Sequence, residues 1–193
     1  MRTKYLLTLI IGGASLICRA QTVVIRSHDP HIKYMGRVVM QDEATELSWS
    51  ASSASINFTG TGVKATLKDE HAGNFINVIV DGKVISVLQA DSVKKEYTLA
   101  SGLPAGKHTV ELFKRTEWTM GKVWIYQFAL DKGSLTLAAQ PVNKRKIEFD
   151  GNSITCGYAD IDTTGQDRGT APYDTGYLRY ATLTAPTFEE EST

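Results

Sequence analysis

The sequence predicts a mainly β protein: an N-terminal β-sandwich, a jelly roll, followed by the first fragment of an α/β domain. Three observations predict it. From Val23 to about Ala139, apolar and polar residues alternate with a period of two, the signature of half-buried strands. Turn residues interrupt this alternation roughly every 8–12 residues, as in sandwiches, and no stretch carries a 3.6-residue apolar stripe. After residue 146 the pattern changes: the apolar run Ile147-Glu148-Phe149 reaches Gly151 and then Ser153.

The strands follow in order. Leu47 and Trp49 alternate with polar residues, and Ile56 and Phe58 do the same before the turn Gly60-Thr61-Gly62. Val63, Ala65 and Leu67 resume beyond it. Asn74 to Val80, then Asp81-Gly82, then Lys83 to Leu88 form the clearest hairpin, because Asp-Gly supplies the two positive φ angles of a tight two-residue loop. Tyr97 and Leu99 mark a strand that ends at Ser101-Gly102-Leu103-Pro104-Ala105-Gly106. Lys107 to Lys114, Val123 to Leu130 and Leu135 to Ala138 complete nine or ten short strands. Trp49 and Trp124 fall within strand patterns and are expected in the core or between the sheets.

The flanks divide the chain into a signal peptide at 1–20, a sandwich at 23–140, a linker at 141–146 and an incomplete second domain at 147–193. Arg2 and Lys4 precede a mostly apolar run from Tyr5 to Ile17, and Cys18-Arg19-Ala20 gives a small-x-small cleavage pattern before Gln21. A secreted or periplasmic protein is expected. The bulky Ile17 argues against lipid attachment at Cys18. After cleavage Cys156 has no intramolecular disulfide partner, and its expected role is apolar filling. The linker, with Lys144, Arg145 and Lys146, reads as a solvated connector.

Composition narrows the function. Hydrophobic residues make up 42% of the 193 and charged residues 22%, enough for a real core. Lys plus Arg equals Asp plus Glu at 21 each, which argues against nucleic acid or an anionic membrane as the main partner. No His, Cys, Asp or Glu spacing suits a metal, so neither metal nor cofactor is expected. Asp150, Asp160 and Asp162 read as turn and loop residues.

Ser153 is the candidate nucleophile, since a serine where a strand hands over to a helix presents its hydroxyl at the edge where open α/β folds place their chemistry. The run Gly151-Asn152-Ser153-Ile154-Thr155-Cys156-Gly157-Tyr158 resembles the first block of the SGNH (GDSL-like) hydrolases. More narrowly, the chain resembles the second carbohydrate esterase family, which joins a jelly roll to an SGNH domain. Ile32 to Arg37, Trp49, Ile56 to Thr61, Val80-Asp81-Gly82, Gly106 to Leu112 and Lys114 to Glu117 carry that resemblance in order. It implies hydrolysis of acetyl esters on plant polysaccharides such as acetylated xylan or mannan, with the polysaccharide or oligosaccharide as partner. Ser153 is then nucleophile and backbone oxyanion donor, and Gly151 and Asn152 support its turn. Asn152 departs from the aspartate common in the superfamily but can still hydrogen-bond backbone groups there.

The resemblance also implies a histidine base late in the domain, whereas His28, His31, His71 and His108 all precede Ser153. The expectation is a chain cut off after its nucleophile block and nearly inactive alone, with residues 159–193 poorly packed. A competing class is a carbohydrate-binding module without catalysis, for which Trp118 is the candidate stacking residue. A third is a scaffold that shapes the substrate cleft.

Overall fold

The computed structural model describes residues 21–141, 146–166, 170–184 and 191–192. Two stacked antiparallel sheets realise the predicted sandwich. One sheet runs β3 (Val38–Met40), β4 (Thr45–Leu47), β11 (Val123–Leu130), β6 (Val63–Asp69), β9 (Lys95–Ala100), with β1 (Val23–Arg26) also paired to β11. The other runs β12 (Leu135–Leu137), β5 (Ser53–Thr59), β10 (Lys107–Lys114), β7 (Phe75–Val80), β8 (Lys83–Gln89), with β2 (Ile32–Met35) on β5. The short strands β1, β2 and β3 went unrecognised in the sequence, since three or four residues give too little alternation to register.

The period-two pattern is literal in β6, where Val63, Ala65, Leu67 and Asp69 point inward and the residues between them do not. Phe58, Phe128, Val110, Leu112, Ile125 and Leu130 from facing strands complete the core. Burying each such large side chain contributes about 1.5–3 kcal/mol. Asp69 ends the row as a fully buried carboxylate, and it accepts backbone N–H bonds from His71 (2.9 Å), Gly73 (3.4 Å) and Asn74 (3.0 Å).

The β7–β8 hairpin turns as its residues dictate, with φ of 49° at Asp81 and 77° at Gly82. Asp81 also pins the start of β10. Its Oδ1 accepts the Thr109 N–H at 2.9 Å, and its Oδ2 meets His108 Nδ1 at 2.7 Å. Nε2 of the same ring lies 2.7 Å from the Pro104 carbonyl. Two acceptors on one ring favour the imidazolium, so the Pro104 carbonyl first and Asp81 second raise the His108 pKa. A raised folded pKa means that this stabilisation is complete below the unfolded value and fades as pH rises through the folded one. We expect the drop in urea midpoint caused by His108→Gln to be larger at pH 6 than at pH 8. An equal drop at both pH values would discard the pin.

Four expectations need correction. Trp124 is not core: it is half-buried on the outer face between buried Val123 and Ile125, with Lys68 Nζ 5.3 Å from its ring centroid. Trp49 lies beyond β4 and is 49% exposed. The apolar run at 147–149 forms strand only at β13 (Lys146–Ile147), which pairs in parallel with β14 (Glu191–Ser192). The segment expected to pack poorly instead buries Asp174, Thr175, Arg179 and Ala181. Tyr177 of this segment packs against a sandwich cluster of Phe113, Ala51 and Ile79. The signal segment 1–20 and most of the linker, residues 142–145, lie outside the described residues.

Candidate active site

Ser153 opens a single helical turn, α1 (Ser153–Cys156), and is exposed. The local sequence makes this turn. Asn152 is the N-cap, its Oδ1 accepting the Ile154 N–H at 3.1 Å. Gly151 permits close approach, for a Cβ there would lie 2.1 Å from Thr155 Oγ1. Gly157 ends the turn at φ 76°, and a Cβ on it would meet the Thr175 carbonyl oxygen at 2.3 Å.

Residues 174–179 clasp the turn from the other side. The Thr175 N–H donates to the Gly157 carbonyl at 2.8 Å, and the Ala159 N–H to Asp174 Oδ1 at 3.1 Å. Arg179 Nη1 donates to the Thr155 carbonyl at 3.0 Å. Helix α2 (Tyr180–Thr184) adds a Tyr180 hydroxyl 2.9 Å from Thr155 Oγ1.

The sandwich holds this clasp. Arg115, just beyond β10, donates through Nη2 to the carbonyls of Pro172 (3.3 Å) and Asp174 (3.2 Å). Its own carbonyl accepts the Gly176 N–H at 2.9 Å. Tyr177 meets Phe113 edge-on at 5.2 Å, in a small apolar cluster with Ala51, Ile79 and Met35. Arg37 and Glu148 form an ion pair across the same seam. Every one of these contacts joins the sandwich to the serine-bearing segment.

A cleft of about 270 Å³ opens along the seam, lined by Trp49, Trp118, Arg37, Asp150, Cys156 and Arg179 among others. Trp118 is 59% exposed, in a short 3-10 turn with no buried residue of its own (Trp118–Met120). Thr155 and Cys156 of α1 form part of the wall, whereas Ser153 sits at the head of the same turn. Burial pushes the Cys156 thiol up from its usual range, which keeps it protonated at neutral pH. Trp49 is a cleft residue that sequence reading misassigned. Its serine neighbours, Ser48 and Ser50, were the available sign of a turn.

None of the four histidines lines this cleft. His31 pairs with Asp29, His108 with Asp81 and the Pro104 carbonyl, and His71 lies beside Glu70. His28 lines a separate polar pocket with Tyr126 and Lys94. Among the described residues no cluster of three or more His, Cys, Asp or Glu is placed to hold a metal ion.

The chain thus joins a β-sandwich to a capped serine turn at the edge of an aromatic cleft. The chain belongs to the carbohydrate esterase 2 N-terminal family, which it matches over residues 34–141. It is 35% identical over 158 residues to the cellulase/esterase CelE of Acetivibrio thermocellus, covering 81% of this chain and 19% of that protein. It is 29% identical over 168 residues to an acetylxylan esterase/glucomannan deacetylase of Cellvibrio japonicus, covering 86% and 46%. Among solved structures, a family two carbohydrate esterase from Cellvibrio japonicus superposes with a TM-score of 0.82 at 27% identity, covering 89% of this chain and 51% of that one. One from Clostridium thermocellum, in complex with cellohexaose, gives 0.78 at 34%, covering 83% and 49%. The chain thus spans about half or less of the length of these relatives.

Proposed function

We propose that this chain is the N-terminal part of an exported polysaccharide O-acetyl esterase acting on acetylated xylan- or mannan-type hemicellulose. The observation that carries the reading is the exposed Ser153 at the head of a capped turn, set beside a cleft with two tryptophans. In this reading the Ser153 Oγ attacks the acetyl carbonyl as a base removes its proton, and the backbone N–H of Ser153 helps hold the oxyanion. The sugar alkoxide leaves with that proton, and water then releases acetate from the acyl-serine. A neutral hydroxyl is a poor nucleophile without a base. The four histidines are placed elsewhere, so the base is to come from residues outside these 193. The sandwich acts as scaffold through Arg115, Phe113 and the ion pair of Arg37, and it contributes Trp49 and Trp118 as stacking faces for pyranose rings.

The test is acetate release from acetylated xylan by the 193-residue chain and by the same chain continued through a complete hydrolase domain. Activity is expected only in the longer form. Vigorous release by the short form would sink the requirement for an external base.

A second reading, carbohydrate binding without catalysis, is favoured by the exposure of Trp49 and Trp118 on one cleft. Retention of the short form on xylan, lost in Trp118→Ala, would support it.

A further inference from the structure

Beneath the Trp118 turn, at one end of the apolar core, lies a buried polar network. Lys114, at the end of β10, is 1% exposed, and its Nζ donates to the carbonyls of Thr116 (2.8 Å) and Glu117 (3.0 Å). The Thr116 hydroxyl, fully buried, donates to Asn74 Oδ1 at 2.6 Å. Asn74, also fully buried, donates through Nδ2 to the Met120 carbonyl at 3.0 Å and is anchored through its own N–H on Asp69. Three carbonyls that bracket Trp118, those of Thr116, Glu117 and Met120, are therefore gripped from below.

Apolar packing alone does not account for such a network. Lysine is almost never fully buried unless paired, and here burial drags its amine down to about 7. The Trp118 turn itself has no buried residue, so apolar contacts do little to order it. An aromatic ring that must meet a flat sugar face binds better when it is held in place beforehand, because the ordering cost is removed from the binding step.

We propose that Lys114, Thr116 and Asn74 are positioning residues that hold Trp118 against a pyranose ring in the cleft. This rests on the reading of that cleft as the carbohydrate site. It extends the reading from the ring that touches sugar to the buried groups that aim it.

Two measurements on the 193-residue chain separate the network from the reading it rests on. Hydrogen exchange at amides 117–121 reports how firmly the turn is held, with or without sugar. Calorimetric titration with xylohexaose reports binding. Thr116→Val keeps the shape of the side chain but removes the donor, while Thr116→Ser keeps the donor. Lys114→Met tests the amine. We expect Thr116→Val and Lys114→Met to speed exchange at 117–121 at least tenfold and to weaken xylohexaose binding about fivefold or more. Exchange in the β5–β10 core should not change, and Thr116→Ser should behave as the parent. Unchanged exchange in both disruptive variants overturns the positioning role even where Trp118→Ala abolishes binding. Faster exchange with undiminished affinity overturns it as well. Failure of the parent chain to bind, or full binding by Trp118→Ala, sinks the cleft reading and takes the proposal with it.

Discussion

Ser153→Ala, made in the chain continued through a complete hydrolase domain, is expected to lower acetate release by about a thousandfold or more, since removing a member of a nucleophile–base pair costs nearly the whole covalent route. The substitution deletes one exposed oxygen at the head of α1 and leaves the cap on Asn152, the Gly157–Thr175 bond and the Arg179 clasp in place. Folding and xylohexaose binding should therefore be unaffected. The effect should appear in kcat with little change in KM, because the lost interaction forms only as the carbonyl is attacked. A variant retaining a tenth of the activity would show that another group is the nucleophile. The cleft-wall Cys156, its thiol held protonated by burial, is a poor substitute.

Asp69→Ala is expected to destabilise the sandwich by about 3–5 kcal/mol, the cost of removing one partner from a buried charged arrangement. Its carboxylate is fully buried and satisfies the N–H groups of His71, Gly73 and Asn74. It also faces buried Lys114, whose amine it helps to keep protonated against desolvation. Asp69→Asn keeps an oxygen for the first two N–H donors but turns an amide toward the third, so its cost should be intermediate.

Lys114 adds a pH signature. Its folded pKa lies near 7, below the unfolded value of 10.5, so the unfolded chain holds more protons between those limits. The contribution of this residue to stability therefore rises with pH across that window. Loss of the Asp69 charge lowers the folded pKa further and extends the rise toward acid. Urea titrations of parent and variants at pH 6 and pH 8.5 check both points. An Ala variant within about 1 kcal/mol of the parent would refute the account, given the size of buried hydrogen-bond penalties.

Much of this protein was legible before its structure. Long strands such as β5, β6, β7, β10 and β11 announce themselves because alternation over six to eight residues is hard to produce any other way. Asp81-Gly82 specified its turn through two φ angles that few other pairs adopt. Asn152, Ser153 and Gly157 form a local unit of cap, helix start and left-handed stop, so their spacing alone predicts the turn. The misassigned residues share one physical cause. Trp49 and Trp124 are amphipathic rings that suit a core or a surface equally, and only the sheet register and the strand end at Leu47 decide which. The network of Asp69, Asn74, Thr116 and Lys114 includes a hydrogen bond between side chains 42 positions apart, and no periodicity reports a bond made across that distance.

Short-range patterning by itself thus determined the sandwich and the turn that carries Ser153, because those depend on neighbours a few residues away. The seat of that turn on the outer sheet face and the pairing of Trp49 with Trp118 across one cleft were decided only when distant strands came together. So was the buried lysine beneath the second ring. These features arise from burial and from hydrogen bonds between remote segments, which exist only once the chain has folded.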